Sequence, residues 1–455
     1  MNDNRYSEGG DAEPGEFRLL CVGDIHLGRR PSRVPKDIED YGIREAELTP
    51  AAAWHSAVAW AIDNDIDAVV LAGDVVESLD DRFEAYGHLE RGVSKLDYAE
   101  IGIYGVAGNH DVHALPRLAD HIENFKLLGR GGAWESIELT GRSGVRLRLL
   151  GWSFPQQRVS RNPLDDPMEA FSDDIPTIGV LHCDLDGGSS PYAPVPRAAF
   201  DRALGAAWLL GHIHKPDDLS ATRPIGYLGS LVGLDPGESG LHGPWLARIS
   251  KTGAVMLDQL SIAPLRYERI DLCVETIPDL DGDDLEDAFA AALRSAVEDV
   301  HNRIAPTLGR TRLVGCRITL TGRSSLHDRI RRILSDTAVQ DGHKSDYGGV
   351  VYFVEKIIDH SRPALDLVQI AKGSDPPALL AQRLLCLQEG QAEAEELVEA
   401  AAMKIEKATE TVLGAVMPIT QPLSTSEINR LLQYAGFEAL EELLAQHSTY
   451  EGPPE

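Results

Sequence analysis

Basic residues are scarce: 43 Lys and Arg stand against 72 Asp and Glu in 455 residues, a formal net charge of -29. Taken alone, that balance speaks against a nucleic-acid binder, because duplex binding rests on neutralising phosphates. The acidic excess is spread along the chain instead of forming one tail, so a solvated acidic surface is its plain reading. Cysteine is scarce too. Cys21, Cys183, Cys273, Cys316 and Cys386 are scattered with no C-x-x-C spacing, which fits a reducing compartment and not a disulfide framework. No apolar run approaches the roughly 20 residues that cross a bilayer. The polar stretch from Met1 to Glu16 lacks the apolar core of a signal peptide. The expectation is a soluble cytoplasmic chain with no membrane partner.

What is present is a folded chain with 43% apolar and 25% charged residues, long enough for two or three domains. Residues 1–16 are expected to be disordered. From residue 17 to 265, short apolar runs alternate with helical patterns. Phe17–Val22, Ala68–Leu71, Ile101–Val106, Ile178–Leu181 and Trp208–Leu210 read as buried strands, and Val145–Leu150 alternates as a half-exposed strand does. Thr49 followed by Pro50 opens a helix. Strands alternating with helices imply a layered α/β domain with functional loops at its strand ends.

Residues 266–370 change character. Strands at Tyr267–Val274, Arg312–Leu320 and Val350–Lys356, with helices at Asp284–Asn302 and near Leu326–Leu334, make a small α+β domain. Residues 371–455 lack strand signals. Leu397, Ala401, Ile405, Ala408, Val412 and Val416 form an apolar stripe, and Pro418 and Pro422 bracket a linker. Ser424 with Glu427 then offers a capping box for Ile428, Leu431, Leu432 and Ala435. By themselves these helices are expected to fold back on the core, with docking on a partner the alternative.

Each strand of the first domain runs into groups that bind hard or borderline metals: Asp24-Ile25-His26, Gly73-Asp74, Gly108-Asn109-His110-Asp111, His182 and Gly211-His212-Ile213-His214. Alternate side chains on extended backbone point the same way, so Asp24 and His26 can reach one ion, as can His212 and His214. Glycine before Asp24, Asp74, Asn109 and His212 lets the backbone turn beside a crowded ion. Taken singly, each piece has an ordinary structural explanation, such as an N-cap aspartate or a hydrogen-bonded core histidine. Five in series at strand ends do not. The donors are carboxylate, imidazole and one amide oxygen without thiolate, which suits a two-metal catalytic site holding Mn, Fe or Zn. Arg29, Arg30, Arg33 and Lys36 crowd the loop after D-x-H; they are candidates for guiding a nucleic-acid backbone, with a solvated loop as the alternative.

This set of motifs resembles the calcineurin-like metallophosphoesterase superfamily. The wording Asp24-Ile25-His26-Leu27-Gly28, Gly211-His212-Ile213-His214-Lys215 and Tyr227-Leu228-Gly229-Ser230 is similar to the SbcD-type DNA repair exonucleases, whose eukaryotic relative is the Mre nuclease. The resemblance is strong over 17–265 and weaker over 266–370, where the family carries a DNA-capping domain. Over the last helices it is positional only; there the family binds an SMC-like ATPase, which turns the expectation toward docking on a partner.

The resemblance implies an α/β fold: a layered β-sandwich core flanked by helices, a small α+β capping domain and a C-terminal helical segment. It implies a two-metal DNA nuclease, an exonuclease with possible endonuclease activity in DNA end processing or repair. It would work as a homodimer with a coiled-coil ATPase of SbcC type. Asp24, His26, Asp74 and His214 would hold one divalent ion. Asp74 would bridge to the second, completed by Asn109, His182 and His212. Manganese leads, with Mg, Fe or Zn as alternatives. His110, oriented by Asp111, would contact the phosphate and protonate the leaving oxygen, and Lys215 joins the nucleic-acid contacts. Two positions depart from the family: Glu77 stands where many members have histidine, and Gly243-Pro244-Trp245 where Lys-Gly is usual. A small-molecule phosphatase or nucleotide phosphodiesterase is the first rival, and a scaffold subunit with an idle nuclease the second.

Overall fold

The computed structural model describes residues 15–168, 174–335, 343–390, 392–409 and 423–450. The segment expected to be disordered therefore lies outside the described residues up to position 14, and Glu16 opens the first strand. Two compact units divide the chain, residues 1–362 and 363–455.

Strand β1 (Glu16–Val22) is buried on both faces from Leu19 onward. Leu19 and Cys21 face one core while Leu20 and Val22 face another, so this run is continuously apolar instead of alternating. It pairs in parallel with β2 (Ala68–Leu71), and β3 (Gly102–Gly105) and β4 (Phe125–Leu127) extend the sheet. A second sheet contains β5 (Glu135–Thr140), β6 (Arg146–Trp152), β7 (Thr177–His182), β8 (Ala207–Gly211) and β9 (Ile225–Tyr227). All neighbours there are parallel except β5 with β6. The chain then returns to the first sheet, where β10 (Trp245–Ser250) and β11 (Val255–Gln259) pair antiparallel beside β1.

Phe17, Leu19, Val70, Leu147, Leu149, Val180 and Leu209 fill the space between the two sheets. The other face of the first sheet is covered by α1 (Pro50–Asp63), α2 (Arg82–Tyr98) and α3 (Leu115–His121), through Trp54, Ala57, Leu89, Val93 and Leu115. Helix α1 starts as its sequence dictates: the Thr49 hydroxyl accepts from the Ala52 amide and Pro50 occupies the first turn. Strand β6 differs from its expected half-exposed state. Leu150 and Trp152 on its second face are covered by Phe154, Phe200 and Trp208, and Arg148 is buried with its guanidinium 2.7 Å from Glu138. An ion pair lets a charged position alternate within a strand that is covered on both sides.

The α+β region forms a third sheet from β12 (Leu265–Cys273), β13 (Leu313–Thr321), β14 (Lys344–Tyr347) and β15 (Val350–Asp359), ordered β12-β13-β15-β14. Helix α4 (Asp283–Ile304) packs Leu285, Phe289, Leu293, Val297 and Val300 against it at i, i+4 spacing, and α5 (His327–Ser335) buries Ile330. Tyr267 of β12 reaches back to the sandwich, donating its hydroxyl proton to the Ser32 carbonyl at 2.5 Å.

In the second unit a short helix, α6 (Leu367–Ile370), precedes α7 (Pro376–Glu389), α8 (Ala392–Thr409) and α9 (Thr425–Tyr450). Ala381, Leu384, Leu387, Val398, Ile428 and Leu440 form its core, with Leu397, Ala401 and Ile405 of the expected stripe against it. Val412, Val416, Pro418 and Pro422 lie outside the described residues, as does the side chain of Ala408. The capping box forms: the Glu427 carboxylate accepts from the Ser424 amide at 2.7 Å. Of the four apolar residues after it, Ile428 and Leu432 pack inward while Leu431 and Ala435 are exposed. Among the described residues no helix is long and apolar enough to cross a membrane.

Candidate metal centre

The motif residues follow the C-terminal ends of parallel strands from both sheets: Asp24 and His26 after β1, Asp74 after β2, Asn109 to Asp111 after β3, His182 ending β7, and His212 and His214 after β8. Backbone bonds stitch these loops together. The amides of Ile25 and His26 donate to the Asp74 carbonyl at 3.1 and 2.9 Å. The His212 amide donates to the Asp24 carboxylate at 3.1 Å, and the His110 amide to Asp74 Oδ1 at 2.9 Å. His26, Asp74 and His212 all adopt positive φ, at 56°, 47° and 111°. Left-handed backbone at non-glycine residues costs of order 1–3 kcal/mol each and gathers at functional sites.

Asp24, His26, Asp74 and His182 are almost completely buried. Donor atoms of Asp24, His26 and His214 lie within 4.8 Å of one another, as do those of Asp24, Asp74 and His182, and those of His26, Glu77 and His110. His26 Nε2 faces His214 Nε2 at 3.0 Å, and His182 Nε2 stands 3.1 Å from Asn109 Oδ1 and 3.3 Å from Asp74 Oδ2. His212 sits beside this group, its ring centroid 5.3 Å from that of His182, but outside the three close donor clusters. Two buried carboxylates converging with imidazole nitrogens and an amide oxygen are a donor set for divalent cations. Gly108 shows how tightly the cradle is drawn: a Cβ there would lie 2.2 Å from Asp74 Oδ1.

Electrostatics follow from burial and proximity. Burial raises the Asp24 carboxyl; it acts the same way on Asp74, but His182 outweighs it and holds Asp74 well below the carboxylate range. Burial opposes charge on His182, yet Asp74 beside it pushes the imidazole up to about 9. Burial and neighbouring His182 push His212 down to about 4. A histidine must be neutral to ligate, so protons and cations compete for these nitrogens.

Several side chains behind these residues carry no signal in the motifs. His26 Nδ1 stands 2.6 Å from Glu77 Oε2, and His214 Nδ1 the same distance from Glu238 Oε1. His182 Nδ1 faces the Ala72 carbonyl at 3.1 Å. Glu77 is one of the two places where the sequence departs from the family it resembles, and Glu238 lies 24 residues beyond His214, past any recognisable motif.

Asp111 does not orient His110. Its carboxylate accepts from the Val75 and Gly108 amides at 2.7 and 2.8 Å, fastening two of the loops together, while His110 Nδ1 sits 3.0 Å from the Glu77 carbonyl. The five basic residues have different surroundings. Arg30 pairs with Glu45 and Arg33 with buried Glu355, both at 3.6 Å; Lys36 begins a short helical turn, and Lys215 is exposed. Arg29 follows the site directly, its amide donating to the His26 carbonyl at 3.0 Å. Trp245 of the Gly243-Pro244-Trp245 departure is structural, its indole N–H donating to the Leu228 carbonyl at 2.9 Å.

Fold and centre are those expected of a metallophosphoesterase, and residues 17–216 match the calcineurin-like phosphoesterase family. Residues 268–362 match the middle domain of the YhaO metallophosphoesterases. The Bacillus subtilis protein described as uncharacterized metallophosphoesterase YhaO is 27% identical over 256 residues, 52% of this chain and 58% of that one. A DNA double-strand break repair protein Mre11 from Methanosarcina mazei is 30% identical over 117 residues, 26% of this chain and 18% of its own length. The chain thus spans less than two thirds of these relatives. A dimetal phosphatase from Danio rerio overlaps 54% of this chain and 99% of its own, at 13% identity and a TM-score of 0.34, too little for further argument.

Proposed function

We propose that this metallophosphoesterase is a two-metal DNA nuclease subunit that hydrolyses phosphodiesters at DNA ends, with manganese as its leading metal. The observation that carries the reading is the convergence of Asp24, His26, Asp74, Asn109, His182 and His214 at one edge of the sandwich, with His110 beside them. Similarity to a protein named for double-strand break repair supports DNA as the substrate. Divalent ions bound there supply charge against the phosphoryl oxygens and lower the pKa of water. Asp24, His26, Asp74 and His214 would hold one ion, and Asp74, Asn109, His182 and His212 would hold the other. The Glu77 carbonyl accepts from His110 Nδ1–H, so in its imidazolium form His110 would pass the Nε2 proton to the departing oxygen and be left as the neutral Nδ1–H tautomer.

A homodimer joined to an SMC-like coiled-coil ATPase completes the proposal. Val368, Leu379, Met403, Leu431 and Tyr434 give the helical unit an exposed apolar surface for that partner. A second reading, a small-molecule phosphodiesterase, draws on the pairing of Arg30 and Arg33 with acids, which leaves few cations to hold a long backbone. A manganese-dependent digestion of linear DNA separates them. His110→Ala is expected to slow cutting at least about 100-fold; unchanged cutting overturns the role of His110. Turnover of an aryl phosphodiester without any DNA cutting selects the second reading.

A further inference from the structure

We propose that the two cation positions are unequal by construction: the one formed by Asp24, His26, Asp74 and His214 fills first and tightly, because Glu77 and Glu238 brace its histidines, and the one formed with Asn109, His182 and His212 fills second. The inference rests on the two-metal reading above and adds an order of binding and two positioning residues to it.

The argument is the difference behind the ligands. Glu238 Oε1 is hydrogen-bonded to His214 Nδ1 at 2.6 Å, and Glu77 Oε2 lies 2.6 Å from His26 Nδ1 as a charge contact without hydrogen-bond alignment; the Nε2 atoms of both histidines face the centre. A carboxylate there keeps the proton on Nδ1, turns the Nε2 lone pair toward the ion, and makes the imidazole a stronger donor. Glu238 is itself locked. Its second oxygen accepts from the Leu234 amide at 2.9 Å and lies 3.4 Å from the Ser230 hydroxyl. Ser230 in turn meets Nδ1 of buried His242 at 3.0 Å, and His242 Nε2 lies 3.0 Å from the Glu238 carbonyl.

Among the described residues the second position has no carboxylate hydrogen-bonded to the far nitrogen of either histidine. His182 Nδ1 meets a neutral carbonyl at 3.1 Å, which fixes the same tautomer, and the nearest carboxylate to that nitrogen, Asp24, stands off at 3.9 Å, beyond hydrogen-bond distance. Among the described residues no side-chain hydrogen bond holds the His212 ring, which rests against Tyr192 with centroids 5.2 Å apart. Asn109 offers a neutral oxygen in place of a second histidine with a carboxylate behind it; Asp24 and Asp74 lie close to both positions, so the difference rests on the histidines. The cluster of His26, Glu77 and His110 is not a third site, because His26 would then need both ring nitrogens as ligands.

The test is titration of the purified, chelator-stripped full chain with Mn2+, followed by calorimetry and by electron paramagnetic resonance. Wild type is expected to take up one equivalent at least about 10-fold more tightly than the second. At one equivalent the spectrum should be that of isolated ions, with the exchange-coupled pair growing only as the second enters. Glu77→Gln and Glu238→Gln should each weaken the first class by about 10- to 100-fold, leave the second class in place, and leave metal-free thermal unfolding unchanged. Uptake of two equal equivalents by wild type overturns the proposal, whatever the variants do. So does a Gln pair that binds as wild type does. Two-step uptake in a chain that cuts no DNA removes the proposed substrate and keeps the asymmetry; DNA cutting with simultaneous uptake does the reverse.

Discussion

The phosphoesterase sandwich and the helical unit of residues 363–455 spend their stability in opposite ways. The sandwich buries Asp24, His26, Asp74, Asn109, Asp111 and His182 and holds three of its motif residues in left-handed backbone. The helical unit, among its described residues, buries only apolar side chains and leaves Val368, Leu379, Met403, Leu431 and Tyr434 exposed. Burying charge and straining backbone lower stability, and they persist where surrounding structure over-determines them. One region is therefore sensitive to sub-ångström displacements, the other to lost volume.

The sharpest way to break that comparison is Gly108→Ala. The added methyl would sit 2.2 Å from Asp74 Oδ1 and must push the carboxylate aside. Turnover of an aryl phosphodiester with Mn2+ is expected to fall about 100-fold or more, since a displacement near 1 Å has that cost; wild-type turnover would show that the cradle is looser than its geometry. Leu384→Ala probes the other region. Leu384 is fully buried at the centre of the helical core, and its truncation should destabilise that unit by about 2–5 kcal/mol in denaturant unfolding. Turnover should be unchanged; a matching loss would mean the two units share one stability.

The smallest effect concerns pH. His55 of α1 lies 3.1 Å from His88 of α2, and burial, then the charges of His88, Arg91 and Lys95, push it down to about 4. Its neutral form is favoured in the fold, so it costs nothing above its unfolded value near 6.5. Stability is lost as pH falls from there toward 4. His55→Asn should flatten that part of the thermal-unfolding profile relative to wild type, and parallel profiles would show that the pair does not sense protons.

Much of the fold is legible residue by residue. Phe17–Val22 and Thr49-Pro50 form the strand and the helix start that their local chemistry requires, and Asp284–Asn302 lies within α4. Val145–Leu150 misleads because Arg148 looks solvent-facing until Glu138, from the neighbouring strand, is seen to neutralise it. Helix α7 has no counterpart among the elements read from the sequence, where Pro376-Pro377 looks unfavourable to a helix. It is instead a helix start, with Asp375 accepting from the Ala378 amide. Arg30 and Arg33 look free in sequence and are paired in space.

What the sequence by itself determined is the rhythm of the motifs: which loops carry Asp24, His26, Asp74, Asn109, His182, His212 and His214, and which glycines let the backbone pass. Those features are local, set by residues a few positions apart. Tertiary structure alone decided what stands behind each donor. Glu77 is brought to His26 across 51 positions and Asp111 to Val75 across 36, and the Ala72 carbonyl to His182 across 110. A hydrogen-bond partner is chosen by where whole loops come to rest, and that placement is settled by packing two sheets face to face, not by any spacing along the chain.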